Sequence, residues 1–380
     1  MQGSMMNLRT DRKSLWLAFV FGVLAIFVFA VVVQAQTTKD LPPPPPPCKA
    51  KPTPTPKPPE QEVLDVVRVT SNLVMVPVSV TNSLGQPVQG LQINDFRLEE
   101  EGKQQEIAEI GNPEQIPLDI AILFDISSSV SQKGFFQFQQ NAAASFLKLV
   151  MKPADRAAVF TIASKATLVQ PLAPADTAAA KIVSIPPALA NVPTAFYDSV
   201  IAASKYLSDN SESRHRRVIV VISDGDDNFS ESIKDMSIAE YRATQKGQAT
   251  SASALLSSLQ QKHQRAIAAV QQSVLKADAT FYSVNPGGPS VSLNQIAMRA
   301  QSGMTTVAAA SGGTAFLPDG EKDLEVVFRQ VAAELRGQYL LQYYANADVP
   351  AGQFRRINVS VPTQAQVKVR ARQGFYAKKK

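Results

Sequence analysis

The sequence predicts an α/β protein: a doubly wound, mostly parallel, Rossmann-like sheet, with a small flanking β-sandwich made of strands from both ends of the chain. Three observations carry this. Leu118–Phe124 and Arg217–Ser223 are short apolar runs without alternation, as in strands buried on both faces. Between Leu118 and Arg336 such runs alternate with segments of helical period. Outside that region apolar residues recur at every second position, at Val74, Val76, Val78 and Val80 and again at Ile357, Val359 and Val361. That period belongs to half-buried strands.

At the amino terminus, Arg9, Arg12 and Lys13 precede Leu15–Val33, an apolar run of about 19 residues, long enough to span a bilayer. The basic flank stays cytoplasmic, so the remainder is expected outside the cytoplasm, secreted, periplasmic or anchored facing outward. Two readings of residues 1–36 stand. Val33-Gln34-Ala35 before Gln36 is a small-residue cleavage pattern and makes the segment a signal peptide; its length favours an uncleaved anchor, which adds the membrane as a partner. Residues 37–61 are dominated by proline and read as a stiff polyproline spacer. The single cysteine, Cys48, lies in that spacer, so no internal disulfide is possible and the core must hold the fold.

Residues 62–114 read as a β-rich flanking domain. Asn82–Gly85 is a turn, and Glu101-Gly102-Lys103 closes a hairpin between Phe96–Glu100 and Gln104–Ile110. Residues 115–337 form the central domain. After the strand at Leu118, Phe135, Phe138, Ala142, Phe146 and Leu149 give a helix. Asp155–Ile162 and Lys165–Val169 are two strands joined by a tight turn, and Asp176–Ile185 is a short helix. Thr194 opens a helix carrying Phe196, Val200, Ile201 and Tyr206. A polar insert, 226–257, follows the strand at Arg217, and a helix runs from it to Lys276. Asp226 and Asp227 in the insert read as solvated loop residues. Strand Thr280–Val284, helix Leu293–Ala310, strand Thr314–Leu317 and helix Asp323–Arg336 complete the alternation. Residues 338–380 are strands that complete the β-rich domain, with Lys368, Arg370 and Arg372 on a wet, basic face.

The candidate site lies where open α/β sheets build theirs, at the carboxyl ends of strands. Asp125, Ser127 and Ser129 follow the first buried strand as Asp-x-Ser-x-Ser. Asp224 ends the second, before Gly225, and Thr194 precedes a helix. Carboxylates and hydroxyls are hard oxygen donors suited to Mg²⁺, or to Mn²⁺ or Ca²⁺. Singly, each residue has an ordinary reading as a helix cap or turn.

Taken together and in this order, these residues resemble the metal-ion-dependent adhesion site of von Willebrand factor A-type domains, over roughly Pro117 to Arg336. The family pattern has Gly where this chain has Ser128, which leaves the ligand positions intact. Asn72–Val78, Gly90-Leu91 through Asp95-Phe96, and Gly337-Gln338-Tyr339 resemble an exported subgroup, the VWFA-related proteins of the acidobacterial type. The resemblance implies a non-enzymatic adhesion module. In it Asp125, Ser127, Ser129, Thr194 and Asp224 hold a divalent ion, and a protein partner's exposed Asp or Glu completes the coordination.

Two other readings remain: an envelope protein whose metal only stabilises the fold, and a metal-assisted hydrolase. The chain has only His215 and His263 and lacks a Gly-x-Ser-x-Gly elbow, which weighs against hydrolysis. The net charge of +6 and pI near 9.2 reflect clusters at the two ends. Without a basic stripe interleaved with aromatics, no nucleic-acid partner is expected.

Overall fold

The computed structural model describes residues 72–131, 136–187, 191–235, 249–289, 295–345 and 349–377. The apolar run Leu15–Val33, the proline-rich spacer with Cys48, the start of the flanking region at Glu62, the middle of the insert and the terminal lysines lie outside the described residues. Among the described residues no helix is long and apolar enough to cross a membrane.

The chain begins with β1 (Leu73–Thr81), β2 (Arg97–Glu100), β3 (Lys103–Gln105) and β4 (Glu109–Gly111). The central part follows as β5 (Leu118–Asp125), α1 (Ser128–Ser131), α2 (Phe136–Val150), β6 (Arg156–Ile162), β7 (Ala166–Ala173) and α3 (Ala175–Val183). It continues through α4 (Phe196–Asn210), β8 (Arg216–Ile222), α5 (Ala249–Lys276), β9 (Ala279–Val284), α6 (Gln295–Ser311), β10 (Ala315–Phe316) and α7 (Glu321–Arg336). Strands β11 (Tyr339–Tyr344), β12 (Phe354–Ser360), β13 (Lys368–Ala371) and β14 (Gly374–Tyr376) close the chain.

The central sheet has the order β10-β9-β8-β5-β6-β7. All its pairings are parallel except β6 with β7, the antiparallel edge. The second strand of the expected pair therefore runs on to Ala173. Every residue of β5 and β8 is buried, which explains their unbroken apolar character. Alternate residues of β5 feed two cores. Ile120, Ile122 and Phe124 pack with α2, α3 and α7, while Ala121 and Leu123 pack with α4, α5 and α6. Helices on both faces of a parallel sheet make this the doubly wound class.

Two antiparallel sheets flank it, β13-β1-β11-β4 and β14-β12-β2-β3. Each draws strands from before and after the central sheet. They share one core of Val76, Val78, Val80, Leu98, Leu341, Tyr343 and Ile357. The β2–β3 hairpin turns at Glu101 and Gly102, both with positive φ, as a two-residue turn requires. The stretch expected to continue this hairpin to Ile110 divides instead. After Gln105 the chain crosses to the other sheet, where β4 pairs with β11.

The wet, basic face expected on β13 is corrected in part. Lys368 is exposed, but Arg370 pairs with buried Glu334 of α7 at 2.6 Å. Arg372, 7% exposed, pairs with Asp278 and donates to the Met75 carbonyl. Those two arginines face the central domain, so burial overrides the alternation expected of an exposed strand. Desolvation pushes the Arg372 guanidinium down to about 10.

Candidate metal centre

Strand β5 sits where the winding reverses: β6 and β7 lie to one side, β8, β9 and β10 to the other. The crevice at the carboxyl ends of β5 and β8 is thus the switch point of the sheet. Asp125 is the last residue of β5, and the register that sets Phe124 opposite Ile222 brings Asp125 beside Ser223.

Asp125 is fully buried, and each of its oxygens is held. Oδ1 accepts from the Ser127 amide at 2.7 Å, and Oδ2 accepts from the Ser223 hydroxyl at 2.5 Å. Ser223 also accepts from the Gly225 amide at 2.9 Å, fixing the turn after β8. There Gly225 has φ of +76°, a backbone conformation that favours glycine. The sequence alone does not single out Ser223. Its place opposite Asp125 follows from strand register, which one chain read alone does not give.

Thr194 is 3% exposed. Its carbonyl accepts from the amides of Asn228 and Phe229, and its amide donates to Asn228 Oδ1. The N-cap of α4 is Ala195, without a side-chain cap bond, so the ordinary reading of Thr194 as the cap is not realised. The Thr194 hydroxyl bonds to none of the described residues. Asp224 is half-buried and accepts from the Asp226 amide at 3.3 Å. Ser127 is buried and bonds Asp125 through both its amide and its side chain. Ser129 lies on the backbone of α1, directly after these residues.

Burial first, and then the neighbouring Asp224 charge, push the Asp125 carboxyl up to about 7, against the pull of its hydrogen bonds to Ser127 and Ser223. Burial and Asp224 likewise push Asp226 up to about 6. Asp227, expected to be solvated, is 2% exposed and accepts from the Tyr197, Phe229 and Ser230 amides and the Ser230 hydroxyl. It supplies the acceptor that the amino-terminal turn of α4 lacks within its own sequence.

The donor set fits a hard divalent cation. Two carboxylates repel each other in a desolvated crevice, and the hydroxyl of buried Thr194 has no partner among the described residues. Among the described residues no three His, Cys, Asp or Glu side chains gather as a metal cluster, so any ion held by Asp125 and Asp224 would need hydroxyls and water to complete its shell. Neither histidine joins the set. His215 bonds Asp119 at the opposite, amino end of β5, and His263 bonds the Tyr197 hydroxyl at 2.8 Å.

Residues 120–226 match the family described as von Willebrand factor type A domain. No curated protein sequence matches the chain. Among solved structures, an aerotolerance-related membrane protein from Bacteroides fragilis aligns at 15% identity with a TM-score of 0.38, over 57% of this chain and 98% of that one. Proximal thread matrix protein 1 from the mussel byssus, with a zinc-occupied metal-ion-dependent adhesion motif, aligns at 15% identity and TM-score 0.41, over 61% of this chain and 48% of that one. The chain therefore spans about half the length of the mussel protein. A von Willebrand factor type A protein from Catenulispora acidiphila aligns at 12% identity and TM-score 0.43, over 82% of this chain and 76% of that one.

Proposed function

From the premise that the chain carries a von Willebrand factor type A domain at residues 120–226, we propose that it is an adhesion-type binding module. It acts outside the cytoplasm and engages a protein partner through a metal-bridged carboxylate. The observation that supports this is the buried Asp125 carboxyl set against the Asp224 charge at the carboxyl ends of β5 and β8. Asp125, Ser127, Ser129, Thr194 and Asp224 would hold Mg²⁺ or Mn²⁺. A divalent ion bound there would supply an open coordination position for an anionic oxygen from outside.

The chain's own residues do the rest. Ser127 and Ser223 hold both Asp125 oxygens, which keeps the carboxylate oriented when the crevice is loaded. Gly225, with its positive φ, turns the chain directly after Asp224. Two carboxylates leave a divalent ion formally neutral inside a set of weak hydroxyl donors, so a partner's Asp or Glu adds a stronger ligand. The apolar run at the amino terminus and the proline-rich spacer support display away from a membrane.

The test is a library of peptides presenting Asp or Glu against the same peptides with Asn or Gln. Carboxylate peptides are expected to bind the wild-type chain in Mg²⁺, and to be lost with chelator and in Asp125→Ala. Selection of amide and carboxylate peptides alike would remove the proposal. If Mg²⁺ raises the melting temperature of wild type but not of Asp125→Ala while no carboxylate is selected, the stabilising-metal reading stands instead. Free Mg²⁺ at a hundredfold above its Kd would stabilise by about 2.7 kcal/mol.

A further inference from the structure

Three loops meet at the candidate centre, and each pair is tied by hydrogen bonds. The first loop, after β5, is tied to the third, after β8, by Ser223 Oγ donating to Asp125. The first is tied to the second, before α4, by Ser128. Its Oγ accepts from the Val192 amide at 2.8 Å, and its own amide donates to the Val192 carbonyl at 3.3 Å. The second is tied to the third by Asn228. Its Oδ1 accepts from the Thr194 amide at 3.0 Å, and its amide donates to the Thr194 carbonyl at 3.1 Å. Just beyond, Asp227 and Ser230 grip the first turn of α4 at Tyr197 and Asp198.

These ties close a ring. Thr194 is held through its main-chain amide and carbonyl, so its hydroxyl is placed without being consumed. Ser128 is the residue at which this chain departs from the glycine of the family pattern. A glycine there keeps the amide bond to Val192 but has no oxygen to receive the Val192 amide.

We infer that Ser128 and Asn228 are positioning residues of the metal centre, locking the Thr194 loop in its ligating position before an ion arrives. This rests on the metal-site reading above. Neither side chain is itself a ligand. Each fixes a loop that carries one, and partners of this kind are worth about 10- to 100-fold in metal affinity.

The test uses the full-length chain, with Mn²⁺ alone as probe, by titration calorimetry, together with amide hydrogen exchange in chelator. Ser128→Gly and Asn228→Ala are each expected to weaken Mn²⁺ binding by about tenfold or more. Exchange should quicken at Val192 in the first and at Thr194 in the second, with the amides of β5 and β8 unchanged. Ser128→Thr, which keeps the accepting oxygen, should restore most of the affinity. Mn²⁺ affinity equal to wild type in Ser128→Gly and Asn228→Ala would overturn the inference. Ser128→Gly keeps the test decisive should Asn228→Ala fail to fold. Equal Mn²⁺ uptake by wild type and Asp125→Ala would instead sink the metal-site reading, and this inference with it.

Discussion

At the scale of single residues, Ser223 shows how much a small hydroxyl does in a buried site. It donates to a carboxylate at 2.5 Å and accepts from Gly225, with none of its surface exposed. Ser223→Ala strips one Asp125 oxygen of its donor and leaves the Gly225 amide without its acceptor. Hydrogen bonds to charged groups contribute about 1.5–3 kcal/mol, so a loss of that order is expected in the chelated protein at a pH above the Asp125 value of about 7, read by urea unfolding. A loss well below 1 kcal/mol would mean water takes over both bonds. The sequence displayed the candidate ligands that stand at strand and helix ends, because Asp-x-Ser-x-Ser and Asp-Gly are local patterns. It hid Ser223, Asp227 and Asn228, whose roles depend on register and on a loop folding back onto α4. Asp227 in particular looked solvated because acidic residues in polar inserts usually are. Its burial is sustained by the four bonds it accepts.

At the scale of elements, the long buried strands were legible because β5 and β8 carry no polar alternation to confuse the period. The flanking strands were legible as strands but not in their pairing, since a crossing such as β3 to β4 leaves no local signature. Helix α5 adds a buried titratable group that packing alone does not explain. His263 accepts or donates at Nδ1 to the Tyr197 hydroxyl, and its Nε2 has no partner among the described residues. Burial, and then Arg299, push its imidazole down to about 4. The folded state therefore keeps His263 neutral where the unfolded chain, at about 6.5, already binds a proton. Its contribution is full above pH 6.5 and is lost as pH falls toward 4, by about 3 kcal/mol at most. Asp125 and Asp226, pushed up to about 7 and about 6, act with the opposite sign over part of the same window. The difference between wild type and His263→Gln isolates the histidine. Unfolding free energies from pH 7 to pH 4.5 in chelator should fall more steeply in wild type than in the variant, and parallel curves would show His263 titrating normally.

At the scale of the whole described molecule, one buried polar network joins the central sheet to its flank. Glu334 of α7, 3% exposed, accepts from Tyr282 of β9 at 2.9 Å and from Ser79 of β1 at 3.0 Å, and pairs with Arg370 of β13. Gln338 bonds both Ser79 and Tyr282. Three strands and a helix thus depend on one carboxylate, and Glu334→Ala would leave the half-buried Arg370 charge and two hydroxyls without it. Breaking a buried pair from one side costs about 3–5 kcal/mol, because the remaining charge is stranded. Glu334→Gln keeps an acceptor for the hydroxyls and loses only the charge, so it should cost less. Urea unfolding of both variants, followed by tryptophan-independent far-ultraviolet dichroism, is expected to rank wild type above Glu334→Gln above Glu334→Ala. Because the network spans both parts, exchange should quicken at β1 and β13 as well as at α7 in Glu334→Ala. An effect confined to α7 would show that the flanking sheets are held by their shared apolar core alone.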